Sequence, residues 1–362
     1  MSALATEHGA INLSQGFPDF NCSPKLIELV HHYMKRGDNQ YAPMQGIISL
    51  RERIAEKVES LYNRKYDPVK EITVTAGGTQ AIYVAITALV HPGDEVILFA
   101  PAYDSYAPAV ELCGGKNVFI NMLAPDFRID WEEVRKKISP KTRLLLINSP
   151  QNPTGTVLSK NDLLQLQEIV RGTNIAIISD EVYEHIIFGH RHESVLHYPE
   201  LAEHSFVVFS FGKVYHVTGW KLGYVLAPEY LMDEFRKVHQ YEVFSVNRPL
   251  QLALADFMQY KDEYLQLNEF YKKKRDVFNS YLKGSRFSLK PADGTYFQLL
   301  GYENITDEAD TELAVRWTKE IGVASIPISV FYPDKRDQKV LRFCFAKEED
   351  TLRRAGELLN KI

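Results

Sequence analysis

The chain has 362 residues, 45% of them hydrophobic and 25% charged, the proportions of an ordinary folded protein long enough for two domains. A formal net charge of -5 disfavours nucleic acid and acidic membranes as partners, because both are bound through basic patches. Three cysteines, Cys22, Cys113 and Cys344, with no CxxC pair, argue against a disulfide framework or a zinc knuckle; a reducing, cytoplasmic setting and no metal site are expected.

From the N-terminus, Met1 to Gly16 lacks a basic segment followed by an apolar one, so no secretory signal is expected. No apolar run reaches the ~18 residues of a membrane span. Ile11 to Pro24 is apolar and proline-rich and is expected to pack as an extended segment. From Glu71 to Pro228 one pattern repeats: a short apolar run, a turn, a helical stretch. The runs are Ile72–Thr75, Val96–Phe99, Leu144–Ile147, Ile175–Ile178, Phe206–Phe209 and Gly223–Leu226. Such runs between helices predict a mostly parallel sheet covered on both faces, with ligands beyond the carboxyl ends of its strands. After Ala255 the character changes. A charged helix is expected over Tyr264–Leu282, where Lys272–Arg275 read as a solvated face. Strands follow at Phe287–Lys290, Thr295–Leu299, Ala324–Ile328 and Val340–Phe345, with helices at Asp307–Ile321 and Glu348–Leu359. The fold class is therefore α/β: a large domain over 30–255, and a small α+β domain combining 1–29 with 256–362.

Four segments follow apolar runs and carry chemistry. Thr75-Ala76-Gly77-Gly78-Thr79-Gln80 opens a helix, and its glycines and free N–H groups could cradle a phosphate. A plain tight turn explains it equally well, and it is neither GxGxxG nor a Walker loop. Ser149-Pro150-Gln151-Asn152-Pro153-Thr154-Gly155 is punctuated as a turn, yet sets a polar amide between two prolines. Asp180, in Ser179-Asp180-Glu181-Val182-Tyr183, is an acid at the end of a buried run, which needs a cation or hydrogen bonds; a helix cap is the ordinary alternative. Lys213, in Ser210-Phe211-Gly212-Lys213, is a lysine at the mouth of a buried run, where desolvation would make its amine a nucleophile towards carbonyls. Ser210 and Lys221 stand close to it in sequence and could both reach a phosphate. A phosphate cradle, an amide, a buried acid and two amines at one sheet edge together suit pyridoxal 5'-phosphate (PLP).

The phrases LSQGFPDF (Leu13–Phe20), NQYAPMQG (Asn39–Gly46), PAYDSYAP (Pro101–Pro108), NPTG (Asn152–Gly155), SDEVYEH (Ser179–His185), SFGK (Ser210–Lys213) and GWKLGY (Gly219–Tyr224) occur in order. In them the chain resembles the fold-type I PLP-dependent aminotransferases over nearly its whole length, above all the methionine aminotransferase and kynurenine–oxoglutarate transaminase group. The resemblance implies a PLP-dependent transferase fold, a homodimer with shared sites, and amino acids and 2-oxo acids as substrates. It implies that Lys213 carries the cofactor and moves a proton, and that Asp180 pairs with the pyridine nitrogen. Asn152 and Tyr183 would bond the ring oxygen, and Tyr103 would stack on the ring. Gly78, Thr79, Ser210 and Lys221 would hold the phosphate with Tyr41 of the other protomer. Arg342 would grip the substrate carboxylate beside the Gly16 backbone; without the resemblance it would read as an ordinary strand arginine. Phe17, Tyr103, Phe244 and Tyr296 suggest an aromatic substrate pocket, suited to methionine and aromatic amino acids.

Three departures from the family pattern bear on this. Val214 stands where relatives usually carry threonine. About ten residues precede LSQGFPDF, fewer than in relatives, so an altered dimer clasp or pocket closure is expected. Arg248 sits near the position of the distal-carboxylate arginine of aspartate-specific relatives, but is read as a surface or interface residue. Rival readings are a PLP-dependent β-C–S lyase, an aminotransferase preferring kynurenine or aspartate, a non-catalytic regulator on the same fold and, least well supported, a nucleotide-binding oxidoreductase.

Overall fold

A computed structural model describes all residues, Met1–Ile362. The apolar runs become strands of a seven-stranded sheet: β2 (Ile72–Thr75), β3 (Glu95–Ala100), β4 (Lys116–Asn121), β5 (Thr142–Asn148), β6 (Ala176–Asp180), β7 (Ser205–Ser210) and β8 (Gly223–Leu226). The order is β2-β8-β7-β6-β5-β3-β4; β8 runs antiparallel to both neighbours and the other pairings are parallel. Strands β2, β6, β7 and β8 are buried at every residue, which is why they lack polar alternation. Strand β4 was not anticipated. It closes one edge of the sheet, and its sequence, Lys-Asn-Val-Phe-Ile-Asn, is largely half-exposed and rich in residues that strands disfavour.

A second sheet has the order β12-β13-β10-β9, all antiparallel, with β9 at Ser288–Leu289, β10 at Phe297–Gly301, β12 at Ile326–Pro327 and β13 at Val340–Cys344. The single strand expected at Ala324–Ile328 divides in two. Its first part, β11 (Val323–Ala324), leaves that sheet and pairs in parallel with β1 (Ile11–Asn12). The extended N-terminal segment is thereby stitched to the C-terminal region, and Cys344 N–H also donates to Leu13 O at 2.8 Å.

The charged helix comes as Asp262–Leu265 and Leu267–Tyr281. Lys272 and Lys273 pair on its surface with Asp276 and Glu349. Lys274, read as part of the same solvated face, is instead buried and donates to Lys347 O at 2.7 Å. Four consecutive residues cannot share one face of a 3.6-residue helix, so one of the four turns inward.

Candidate active site

Strands β5 and β6 are parallel and in register at Asn148 and Asp180, so their carboxyl ends place both polar residues at one sheet edge, beside the end of β7 at Ser210. Asn148 donates to Asp180 O at 2.8 Å and accepts Asn152 N–H at 2.8 Å, which orients the NPTG turn over the edge. One turn of helix, Phe211–Val214, then swings Lys213 back over the same edge.

The side chains converge on a cavity of about 140 Å³. Gly78, Thr79, Ser210 and Lys221 line one part of it, and Tyr103, Asn152, Asp180, Tyr183 and Lys213 the rest. Larger cavities, of about 410 and 550 Å³, lie towards Lys290 and Asp293, and Lys213 and Asp180 line neither.

Part of Lys213 faces the cavity, while its amine lies 5.4 Å from the ring centres of both Tyr183 and Tyr296. Removal from water destabilises the ammonium and brings its pKa down to about 8. Asp180 is buried, and its carboxylate accepts from Tyr106 Oη at 2.5 Å and from Val182 N–H at 3.3 Å, but from no cationic side chain. Burial pushes its pKa up to about 6, against the downward pull of those two donors.

The phosphate-type end of the cavity is built around Gly77 and Gly78. Gly77 has φ of +87° and precedes a twelve-residue helix, Gly78–Leu89, that no side chain caps. The Lys221 amine lies against it: a Cβ on Gly77 would stand 3.6 Å from Lys221 Nζ. A Cβ on Gly223 would stand 2.6 Å from Phe209 O and 3.1 Å from Gly78 N, so only glycine permits this approach of β8. Thr79 and Tyr103 hydroxyls are 3.5 Å apart.

Arg342, on β13, reaches the site from the second sheet. It is buried, stacks 4.0 Å from the centre of Phe297, and donates to Asn152 Oδ1 at 2.6 Å and to Ser14 O at 3.1 Å. Two of its five N–H groups are thus used, and buried Nε has no partner. The loop carrying Asp180 and Tyr183 is anchored from behind. Glu184 accepts from Lys57 and Tyr62. Glu181 accepts from Ser179 and from His192, both at 2.8 Å. Removing one partner of a buried pair such as Lys57–Glu184 typically costs ~3–5 kcal/mol.

The remaining expected residues lie elsewhere. Tyr296 is fully buried behind Lys213, and its hydroxyl donates to Gly16 O at 2.6 Å. Phe17 is 44% exposed, with the Lys347 amine 4.6 Å from its ring centre. Tyr41 and Phe244 are 77% and 47% exposed and meet edge-to-face at 5.3 Å, outside the cavity of their own chain. Arg248 faces Asp38 at 3.4 Å. Tyr106 and Asn148 were missed. Asn148 follows the apolar run Leu144–Ile147, so the strand-end rule that singled out Asp180 would have found it; nothing local marks Tyr106.

A desolvated amine and a buried carboxylate without a cation, set between a helix N-terminus and a buried arginine, define an enzyme of amine and carbonyl chemistry on an α/β scaffold. The chain belongs to the aminotransferase class I and II family, whose model matches residues 8–359. It is 50% identical to methionine aminotransferase of Escherichia coli (strain K12), over all of this chain and 94% of that one. It is 32% identical to kynurenine–oxoglutarate transaminase 1 of Homo sapiens, over 99% and 93%. Among solved structures, an Escherichia coli protein with an identified methionine aminotransferase function superposes with a TM-score of 0.98 at 50% identity, covering 100% of this chain and 96% of that one. N-succinyldiaminopimelate aminotransferase from Mycobacterium tuberculosis gives 0.96 at 37%, covering 100% and 95%. The fold is that of the fold-type I PLP-dependent transferases, and the enzyme is a transaminase. No helix is long and apolar enough to cross a membrane.

Enzymes of this family use PLP. The residues present fit it: Asp180 is a buried acid bonded by no cationic side chain, Gly77 opens an uncapped helix beside the Lys221 amine, and Lys213 is a desolvated amine on the same cavity. Asp180 can pair with a pyridinium only as a carboxylate, which is present above its pKa of about 6 and lost below it. PLP affinity is therefore expected to fall as the pH drops through this range. Tyr106→Phe removes a donor that holds this pKa down, so the loss should begin at higher pH in the variant. Absorbance titration of the apoenzyme with PLP from about pH 5 to about pH 8 checks this; superimposable profiles for the two proteins would contradict it.

Proposed function

We propose that this aminotransferase holds PLP on Lys213 and moves the amino group of methionine, and of aromatic amino acids, to a 2-oxo acid by a ping-pong route. The observation that carries the reading is that Lys213 and Asp180 line one cavity, together with Gly78, Thr79, Ser210 and Lys221. The match to Escherichia coli methionine aminotransferase along the whole chain supports methionine as donor.

When bound, the cofactor supplies an electron sink for the electrons of the Cα–H bond. Lys213 Nζ would take the proton from Cα and deliver it to the cofactor carbon on the other side of the amino nitrogen; a pKa near 8 suits an amine that must hold and release a proton near neutral pH. Asp180 stays ionised and stabilises positive charge at the ring nitrogen. Asn152, with Oδ1 committed to Arg342, turns its amide N–H groups towards the ring oxygen, and Tyr183 offers a second donor. Arg342 holds the substrate carboxylate with its remaining N–H groups. Ser210, Thr79 and the Gly78 N–H bind phosphate together with Lys221.

Tyr41 and Phe244 fit a homodimer in which each protomer completes the other's site, since both are exposed on their own chain. A large domain over 30–255 and a small one formed by 1–29 and 256–362 agree with the pairing of β1 and β11. The Asp38 carboxylate opposite Arg248 disfavours an aspartate preference, because that charge already has a partner.

The test is turnover of single amino acids with a panel of 2-oxo acids. Methionine and phenylalanine should be consumed far faster than aspartate, with the matching 2-oxo acid released. Preference for aspartate would assign Arg248 to the substrate, and release of pyruvate and thiol from cystathionine without amino transfer would establish the lyase.

A further inference from the structure

Tyr296 belongs to no element of the cavity wall, yet it is the residue that holds the catalytic amine. Lys213 Nζ donates to Tyr296 Oη at 2.8 Å, and Tyr296 Oη donates to Gly16 O at 2.6 Å. A carbonyl oxygen can only accept, and a phenol has one proton. With that proton committed to Gly16, the Tyr296 oxygen presents only lone pairs to Lys213. The amine can therefore donate to Tyr296 but cannot be capped by it, and the nitrogen lone pair stays free.

The arrangement is rigid at both ends. Tyr296 is fully buried, with the rings of Tyr183, Tyr271 and Phe297 centred 5.0–5.7 Å away. Gly16 is wedged so closely that a Cβ would stand 2.6 Å from Phe297 Cζ. The chain on either side of it is tied by Arg342 to Ser14 O and by Lys347 to Phe17 O, at 3.1 and 2.8 Å.

We propose that Tyr296 is a positioning residue for the reaction: it parks the free Lys213 amine with its lone pair open to the Cα proton. The proton passes from Cα to Nζ and is then given up by Nζ, so Tyr296 gains and loses none. The proposal rests on the aminotransferase reading above and adds a residue to it.

The experiment compares wild type with Tyr296→Phe, which keeps the ring and removes the hydroxyl. With methionine the amino-transfer half-reaction should slow by about 10–100-fold while KM barely moves, because a small misplacement of a proton-transfer group acts on the chemical step. The slowing caused by Cα-deuterated methionine should grow, and apoenzyme should capture PLP more slowly, read by absorbance without any substrate. A variant with 3-fluorotyrosine in place of Tyr296, which keeps ring and hydroxyl but weakens the acceptor, should fall between the two, and it carries the test should Tyr296→Phe not fold. Unchanged half-reaction rate and isotope effect, or a loss confined to KM, would overturn the role of Tyr296. Failure of wild type itself to exchange its amino group would overturn the aminotransferase reading instead, and PLP capture would then still decide whether Tyr296 orients the amine.

Discussion

Lys213→Ala is expected to lower transamination by at least ~10⁴-fold, because one group acts as attachment point and as proton carrier. The fold should survive, since Lys213 faces the cavity and its amine has one side-chain partner, Tyr296. PLP should still bind through the phosphate cradle and Asp180, but without a covalent link. The two effects separate in one preparation: steady-state turnover with methionine gives the activity, and dialysis followed by absorbance gives the retained cofactor. Activity within tenfold of wild type would remove Lys213 from the chemistry.

Asp180→Asn should lower kcat by about 10²–10³-fold, the scale of removing one fixed electrostatic stabiliser from a buried site. The substitution keeps the shape. The asparagine oxygen can still accept Val182 N–H, and the Tyr106 hydroxyl can turn to accept from the new amide. What is lost is the negative charge, and with it the stabilisation of a protonated ring nitrogen. Because the defect lies in charge, it should not be relieved by raising the pH. A pH–rate series on both proteins makes the comparison. A variant with near-normal kcat would show that the ring nitrogen does not need this carboxylate.

The strand-end residues were legible in the sequence for a physical reason. A parallel sheet buried on both faces is written as apolar runs, and its carboxyl edge is where polar residues interrupt them. Asp180, Ser210, Lys213 and the turn around Asn152 all stand directly after such runs. Residues that reach the site through tertiary contact leave no such mark. Arg342 meets Asn152 across 190 residues, and Tyr296 meets Gly16 across 280. The family resemblance named Arg342 and Gly16, while the hydrogen bond that ties Tyr296 to Lys213 became visible only in the fold. Tyr106 was missed because an aromatic on a short helix reads as core packing. The edge strand β4 was missed because an edge tolerates the lysine and asparagines that hide its period.

The most direct test is borohydride reduction of the PLP-loaded enzyme before and after methionine is added, followed by digestion and mass spectrometry. Before methionine, the reduced cofactor should be fixed to the peptide containing Lys213. After methionine in the absence of a 2-oxo acid, that peptide should be unmodified and the cofactor recovered free in its aminated form. Label on another lysine such as Lys221, or label on Lys213 that methionine does not remove, would contradict the account.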